Sequence, residues 1–146
     1  MTTSTITKTV FFNATRETVW SFLTERDKIG LWFHPPKEDL ADGEDYELIL
    51  TRDNGEKAKV CWGSVLEMHR PEKMVWSFTV NPLNGSLTTV TWVLEEVLCG
   101  TRLTLKHEGV EAAAGEAAMD MILSLDAGWD EHFASLRKVL SKKDTM

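Results

Sequence analysis

Apolar residues recur at intervals of three and four along the C-terminal part of the chain: Ala118, Ile122, Leu125, Trp129, Phe133, Leu136 and Leu140. That spacing predicts a helix from about Ala117 to Leu140 with one apolar stripe. Glu116, Asp120, Asp130, Glu131, Arg137 and Lys138 fall mostly off the stripe, on its wet face. Such a helix runs about six turns, or roughly 36 Å, and needs a broad apolar surface to lie on. Gly128 interrupts it beside Trp129. Glycine there costs ~1 kcal/mol relative to alanine, which points either to close backbone approach or to a gap kept open beneath the helix.

The rest of the chain supplies the surface. Ile6, Lys8, Val10 and Phe12 alternate with Thr7, Thr9 and Phe11, a first strand. Thr15 is a plausible N-cap for a short helix carrying Val19, Trp20, Phe22 and Leu23. A second short helical piece, about Arg26 to Phe33, stops at His34-Pro35-Pro36, because proline disfavours helix in the residue before it. Lys37 to Asp45 reads as a charged loop. From Tyr46 the period becomes two. Tyr46, Leu48 and Leu50 share a face, and Asp53-Asn54-Gly55 turns the chain. The next strand puts Ala58, Val60, Trp62, Ser64, Leu66 and Met68 on one face, with Lys59, Cys61, Gly63, Val65 and Glu67 on the other. Met74, Trp76, Phe78 and Val80 follow, then Val90, Trp92 and Leu94, then Leu103, Leu105 and His107. Gly109 to Gly115 reads as a small-residue linker into the last helix. Six strands with one apolar face each predict an antiparallel sheet wet on its other side, with the long helix laid across it.

Composition narrows the function classes. A chain of 146 residues with 42% hydrophobic content is most simply one domain, over 1–146 with a core from about 5 to 140. The net charge of −7 argues against nucleic acid or an anionic membrane as the main partner. No run of 18 apolar residues occurs, so no membrane insertion is expected, and Met1 to Thr9 lacks the apolar core of a leader. Cys61 and Cys99 have no metal-ligand spacing and form no CxxC, which fits reduced thiols in the cytoplasm. Six tryptophans against one tyrosine mean either a bulky core or rings that line a cavity.

Candidate chemistry is sparse. There is no GxSxG, and no paired carboxylates suit acid–base work. His34, His69, His107 and His132 are too irregularly spaced for a metal triad, and HExxH and HxH are absent, so no metal, no cofactor and no catalytic residue is expected. Gly63-Ser64 reads as a bulge or close-packing site rather than a nucleophile. His107 lies on the same strand face as Leu103 and Leu105. It is either a histidine hydrogen-bonded near the strand's end or a polar contact inside an apolar chamber. Trp32-Phe33-His34 is either a plug sealing the domain or a gate at a cavity mouth.

Four stretches carry a resemblance over roughly Thr5 to Leu140. They are Ala14-Thr15-Arg16-Glu17-Thr18-Val19-Trp20 with Trp32; Gly63-Ser64-Val65-Leu66-Glu67 with Arg70-Pro71-Glu72-Lys73-Met74-Val75-Trp76-Ser77-Phe78; Gly100-Thr101-Arg102-Leu103-Thr104-Leu105-Lys106-His107-Glu108-Gly109; and Gly128-Trp129 with Leu136 and Leu140. In this order they resemble the SRPBCC (START-like) superfamily, in the branch related to the C-terminal domain of the Hsp90 ATPase activator. The resemblance implies an α+β helix-grip (Bet v 1-like) fold. In it a curved antiparallel sheet of seven strands grips the long C-terminal helix, two short helices follow the first strand, and a hydrophobic cavity lies between sheet and helix. Members bind lipids, hormones and polyketides, and some are cyclases. The activator carries a separate N-terminal domain for which a chain of 146 residues leaves no room, so ATPase activation is not implied.

The expectation is a binding protein for a hydrophobic small molecule or lipid. Its cavity would be lined by Trp32, Trp62, Ser64, Leu66, Trp76, Phe78, Trp92, Leu105, His107, Ile122, Leu125, Trp129 and Phe133. One alternative is a protein-interaction module that contacts an Hsp90-type chaperone, as monomer or homodimer. Another is a cyclase-type enzyme using His107 as acid or base.

Overall fold

The structure is a computed structural model describing residues 4–144, with side chains through Ser141. Met1 to Thr3 of the Thr-rich N-terminal stretch lie outside the described residues. β1 (Ile6–Phe12) is followed by α1 (Arg16–Thr24) and α2 (Arg26–Ile29). Then come β2 (Asp45–Thr51), β3 (Lys57–His69), β4 (Lys73–Val80), β5 (Thr88–Val97) and β6 (Gly100–Glu108). α3 (Val110–Ala114) and a 3-10 turn lead into α4 (Ala118–Asp144). This is the α+β helix-grip fold.

The strands form one antiparallel sheet in the order β1-β6-β5-β4-β3-β2, so the chain's first strand closes beside its last. The described residues form six strands, not the seven that the resemblance implies. Where a further edge strand would pair with β2 there is an isolated bridge between Pro36 and Leu48, with the Ile49 amide donating to the Pro35 carbonyl at 2.9 Å. Pro35 and Pro36 have no N–H to continue a ladder.

Local chemistry accounts for the element ends. The Thr15 hydroxyl accepts from the Thr18 amide at 3.2 Å and caps α1. α2 stops at Ile29, four residues short of the predicted end. The segment expected as a linker is instead partly helical, because Val110-Glu111-Ala112-Ala113-Ala114 is mostly strong helix former.

β1, β5 and β6 alternate cleanly: Val10, Val90, Trp92, Leu94, Leu103 and Leu105 are buried on the inner face. β3 corrects the reading of its faces. Cys61 and Val65 are buried, while Leu66 is 54% exposed and Trp62 lies half-exposed with the Lys59 ammonium 4.4 Å from its ring. The register shifts between Val65 and Glu67 against β4, and between Leu48 and Ile49 of β2 against β3. The unpaired residues, Val60 and Leu66, both belong to β3, so its faces exchange at each bulge; Leu50, near the end of β2, is exposed. Gly63 sits where a Cβ would lie 2.0 Å from the Ser77 carbonyl oxygen, so β3 and β4 approach there more closely than any side chain allows. Ser64 therefore belongs to this strand crossing, its amide bonded to the Ser77 hydroxyl at 2.8 Å and its own hydroxyl donating to Asp45.

α4 lies across the concave face, tied to β1 by the Lys8 ammonium at 2.6 and 2.9 Å from the Asp126 and Asp130 carboxylates. Its stripe is buried unevenly. Trp129, Phe133, Leu136 and Leu140 are buried, whereas Ala118, Ile122 and Leu125 are only half-buried. The C-terminal half of the helix is gripped and the N-terminal half stands partly clear. No helix of the described residues is long and apolar enough to cross a membrane.

Candidate functional site

Between helix and sheet the aromatic rings meet each other rather than framing a large chamber. Trp92 packs edge-on against Trp129 at 5.6 Å, Phe133 at 6.2 Å and Trp32 at 6.3 Å, and Trp76 lies 5.0 Å from Trp92. Edge-to-face contacts at these separations are attractive and fill space efficiently. Trp32 is buried, donates its indole N–H to the Phe22 carbonyl at 2.7 Å and stacks on Phe133 at 6.4 Å. It is a plug. The indole N–H groups of Trp76 and Trp92 are buried without a partner among the described residues, at about 1–3 kcal/mol each.

His107 is fully buried, and both ring nitrogens are occupied. The Trp129 indole N–H donates to Nδ1 at 3.1 Å, so Nδ1 carries no proton. The proton of the neutral ring then sits on Nε2, which donates to the Thr88 hydroxyl oxygen at 2.7 Å. Thr88 in turn donates to the Phe78 carbonyl at 2.7 Å. This relay fixes one tautomer and joins α4 to three strands. Burial lowers the His107 pKa to about 4. Both ring nitrogens of His107 are thus engaged within the core, by Trp129 and Thr88.

The opening that remains lies further along the helix. A cleft of about 120 Å³ is lined by Phe33, His34, Cys61, Phe78, Val80, Ser124, Leu125, Gly128, Trp129 and His132. A Cβ on Gly128 would meet nothing within 4 Å, so close backbone approach does not account for this glycine, which borders the cleft. Larger depressions of about 360 and 410 Å³ lie at the surface beside Pro35–Lys37 and beneath Pro82–Ser86, and their walls are more polar. Burial pushes the Cys61 thiol up to about 12, which keeps it protonated and unreactive. Among the described residues, no cluster of His, Cys, Asp or Glu could hold a metal.

Of the thirteen residues expected to line a cavity, Phe78, Leu125 and Trp129 border this cleft. Trp32, Trp76, Trp92, Leu105, His107 and Phe133 are core, Ile122 packs half-buried at its edge, and Trp62, Ser64 and Leu66 fall on the outer face or strand crossing. His132 was missed. Its position three residues after Trp129 puts it on the same helix face, and that spacing could have found it.

Among solved structures, the chain is similar to CalU16 from Micromonospora echinospora, at 23% identity and a TM-score of 0.74 over 97% of this chain and 78% of that one. It is similar to DynU16, a protein of the dynemicin biosynthetic locus, at 18% identity and a TM-score of 0.78 over 96% of this chain and 48% of that one. The solution structure of the Aha1 dimer from Colwellia psychrerythraea matches at 18% identity and a TM-score of 0.71, over 93% of this chain and 95% of that one. At such identities the likeness is one of fold. No curated protein matches the chain. The family model described as Activator of Hsp90 ATPase homolog 1-like protein matches residues 13–141, most of the sequence from the end of β1 to the last turns of α4. The chain belongs to this family.

Proposed function

We propose that this protein binds a small apolar or aromatic molecule in the cleft beside Gly128. The observation that carries the reading is the open space at that glycine, between the half-buried part of α4 and the inner face of β3 and β4. Helix interiors disfavour glycine, and here no neighbour requires it. An apolar cavity of about 150 Å³ accommodates benzene, whereas drug-sized ligands occupy about 300–1,000 Å³. A cleft of about 120 Å³, open to solvent on one side, suits a single ring better than a lipid chain. Burial of the ring against Phe33, Phe78 and Trp129 would drive binding, and free Cys61 and Cys99 fit a reducing cytoplasm. Calorimetric titration with toluene tests this. Saturable binding that Gly128→Leu abolishes supports the reading; absence of binding to the unmodified protein ends it.

The family description favours a second reading, contact with an Hsp90-type chaperone as a monomer or homodimer. The well-filled core agrees with function on the outer surface. Sedimentation with and without the chaperone checks it, and no complex at micromolar concentrations would remove it.

A further inference from the structure

Two histidines stand at the cleft whose polar atoms its apolar lining does not use. His132 is on α4, His34 follows α2, and their rings lie 5.6 Å apart, both within about 5.5 Å of Phe33. The His132 Nδ1 lies 3.3 Å from the Trp32 carbonyl oxygen. That oxygen can only accept, so Nδ1 carries the proton of the neutral ring and Nε2 keeps a lone pair. Among the described residues Nε2 has no hydrogen-bond partner, and neither has either ring nitrogen of His34. Both pKa values are lowered, chiefly by burial, so the pair is neutral at pH 7.

We propose that His132 Nε2, seconded by His34, accepts a hydrogen bond from the hydroxyl of a small phenol whose ring occupies the cleft. This inference rests on the binding proposed above and names its ligand class. The site presents an aromatic slot with an uncharged acceptor at its edge. An ammonium would lose hydration against apolar walls, and a carboxylate would meet the lone pair. A phenolic hydroxyl supplies a donor without charge, and His34 can turn an N–H toward the lone pairs of the same phenolic oxygen.

The experiment titrates phenol, toluene and anisole into the unmodified protein, His132→Phe and His132→Gln. Phenol is expected to lose about five- to tenfold in affinity relative to toluene in His132→Phe, the scale of one hydrogen bond. His132→Gln, which keeps an acceptor, is expected to restore most of it. In the unmodified protein anisole, which has no donor, should bind more weakly than phenol by a similar factor. Phenol and anisole binding equally, or His132→Phe weakening phenol and toluene alike, would overturn the inference. Toluene binding without a preference for phenol overturns the acceptor alone; failure of all three ligands overturns the cleft reading with it.

Discussion

Acidification isolates the buried histidine relay. The folded state holds His107 neutral, with a pKa of about 4 against about 6.5 in the unfolded chain. Protonation on Nδ1 would set an N–H against the Trp129 indole donor 3.1 Å away. Between these pKa values the unfolded state binds more protons, so the contribution to stability is whole above pH 6.5 and is lost as the pH falls toward 4. A gap of about 2.5 units corresponds to about 3 kcal/mol at most, and to about 2 kcal/mol by pH 5. Among the described residues no ionised side chain hydrogen-bonds the ring; its hydrogen-bond partners are Trp129 and Thr88, and Phe78 packs edge-on at 5.3 Å. His34 and His132 are also lowered, so their contribution has the same sign. Chemical denaturation of the protein and of His107→Gln at pH 7 and pH 5 separates the terms. The unmodified protein should lose about 2 kcal/mol more than the variant. Ring ¹⁵N shifts should report protonated Nε2 and unprotonated Nδ1 throughout this range. A His107 titration midpoint near 6.5, or the opposite tautomer, would refute the relay.

Two glycines predict opposite outcomes for the same substitution. Gly128→Ala should raise stability by about 1 kcal/mol, because the added methyl meets nothing within 4 Å and the helix gains propensity; denaturant midpoints read this directly. Gly63→Ala should destabilise by about 1–3 kcal/mol or more, since its Cβ would lie 2.0 Å from the Ser77 carbonyl oxygen. Loss of the β3–β4 amide protection in hydrogen exchange would locate the damage. A third substitution, Thr15→Ala, should cost about 1 kcal/mol through the lost cap of α1.

Legibility in the sequence followed how unambiguous each pattern was. α4 and strands β1, β5 and β6 were readable because one face is apolar and the other polar. β3 was not: Trp62 and Leu66 on one face compete with Cys61 and Val65 on the other, and bulges exchange the faces within the strand. Alternation carries no information about bulges. The glycine of α4 was visible as a cost with two readings, and only the docked helix shows that no close neighbour requires it. What the rings do with that space was not visible. Trp76, Trp92 and Trp129 could have framed a chamber or interlocked, and the choice depends on rotamers set by neighbours from β4, β5 and α4. His107 was placed on the correct face, but its occupancy by Trp129 and Thr88 needs the helix docked. The cleft combines Phe33 and His34 with residues about a hundred positions later, so local spacing could recover only its helical side.

The most direct measurement is intermolecular NMR contact between bound toluene and side-chain methyl groups of the cleft. The account predicts saturable cross-peaks to Val80 and Leu125, lost in Gly128→Leu. Cross-peaks confined to exposed residues such as Leu98 and Met119, or none at saturating toluene, would contradict it.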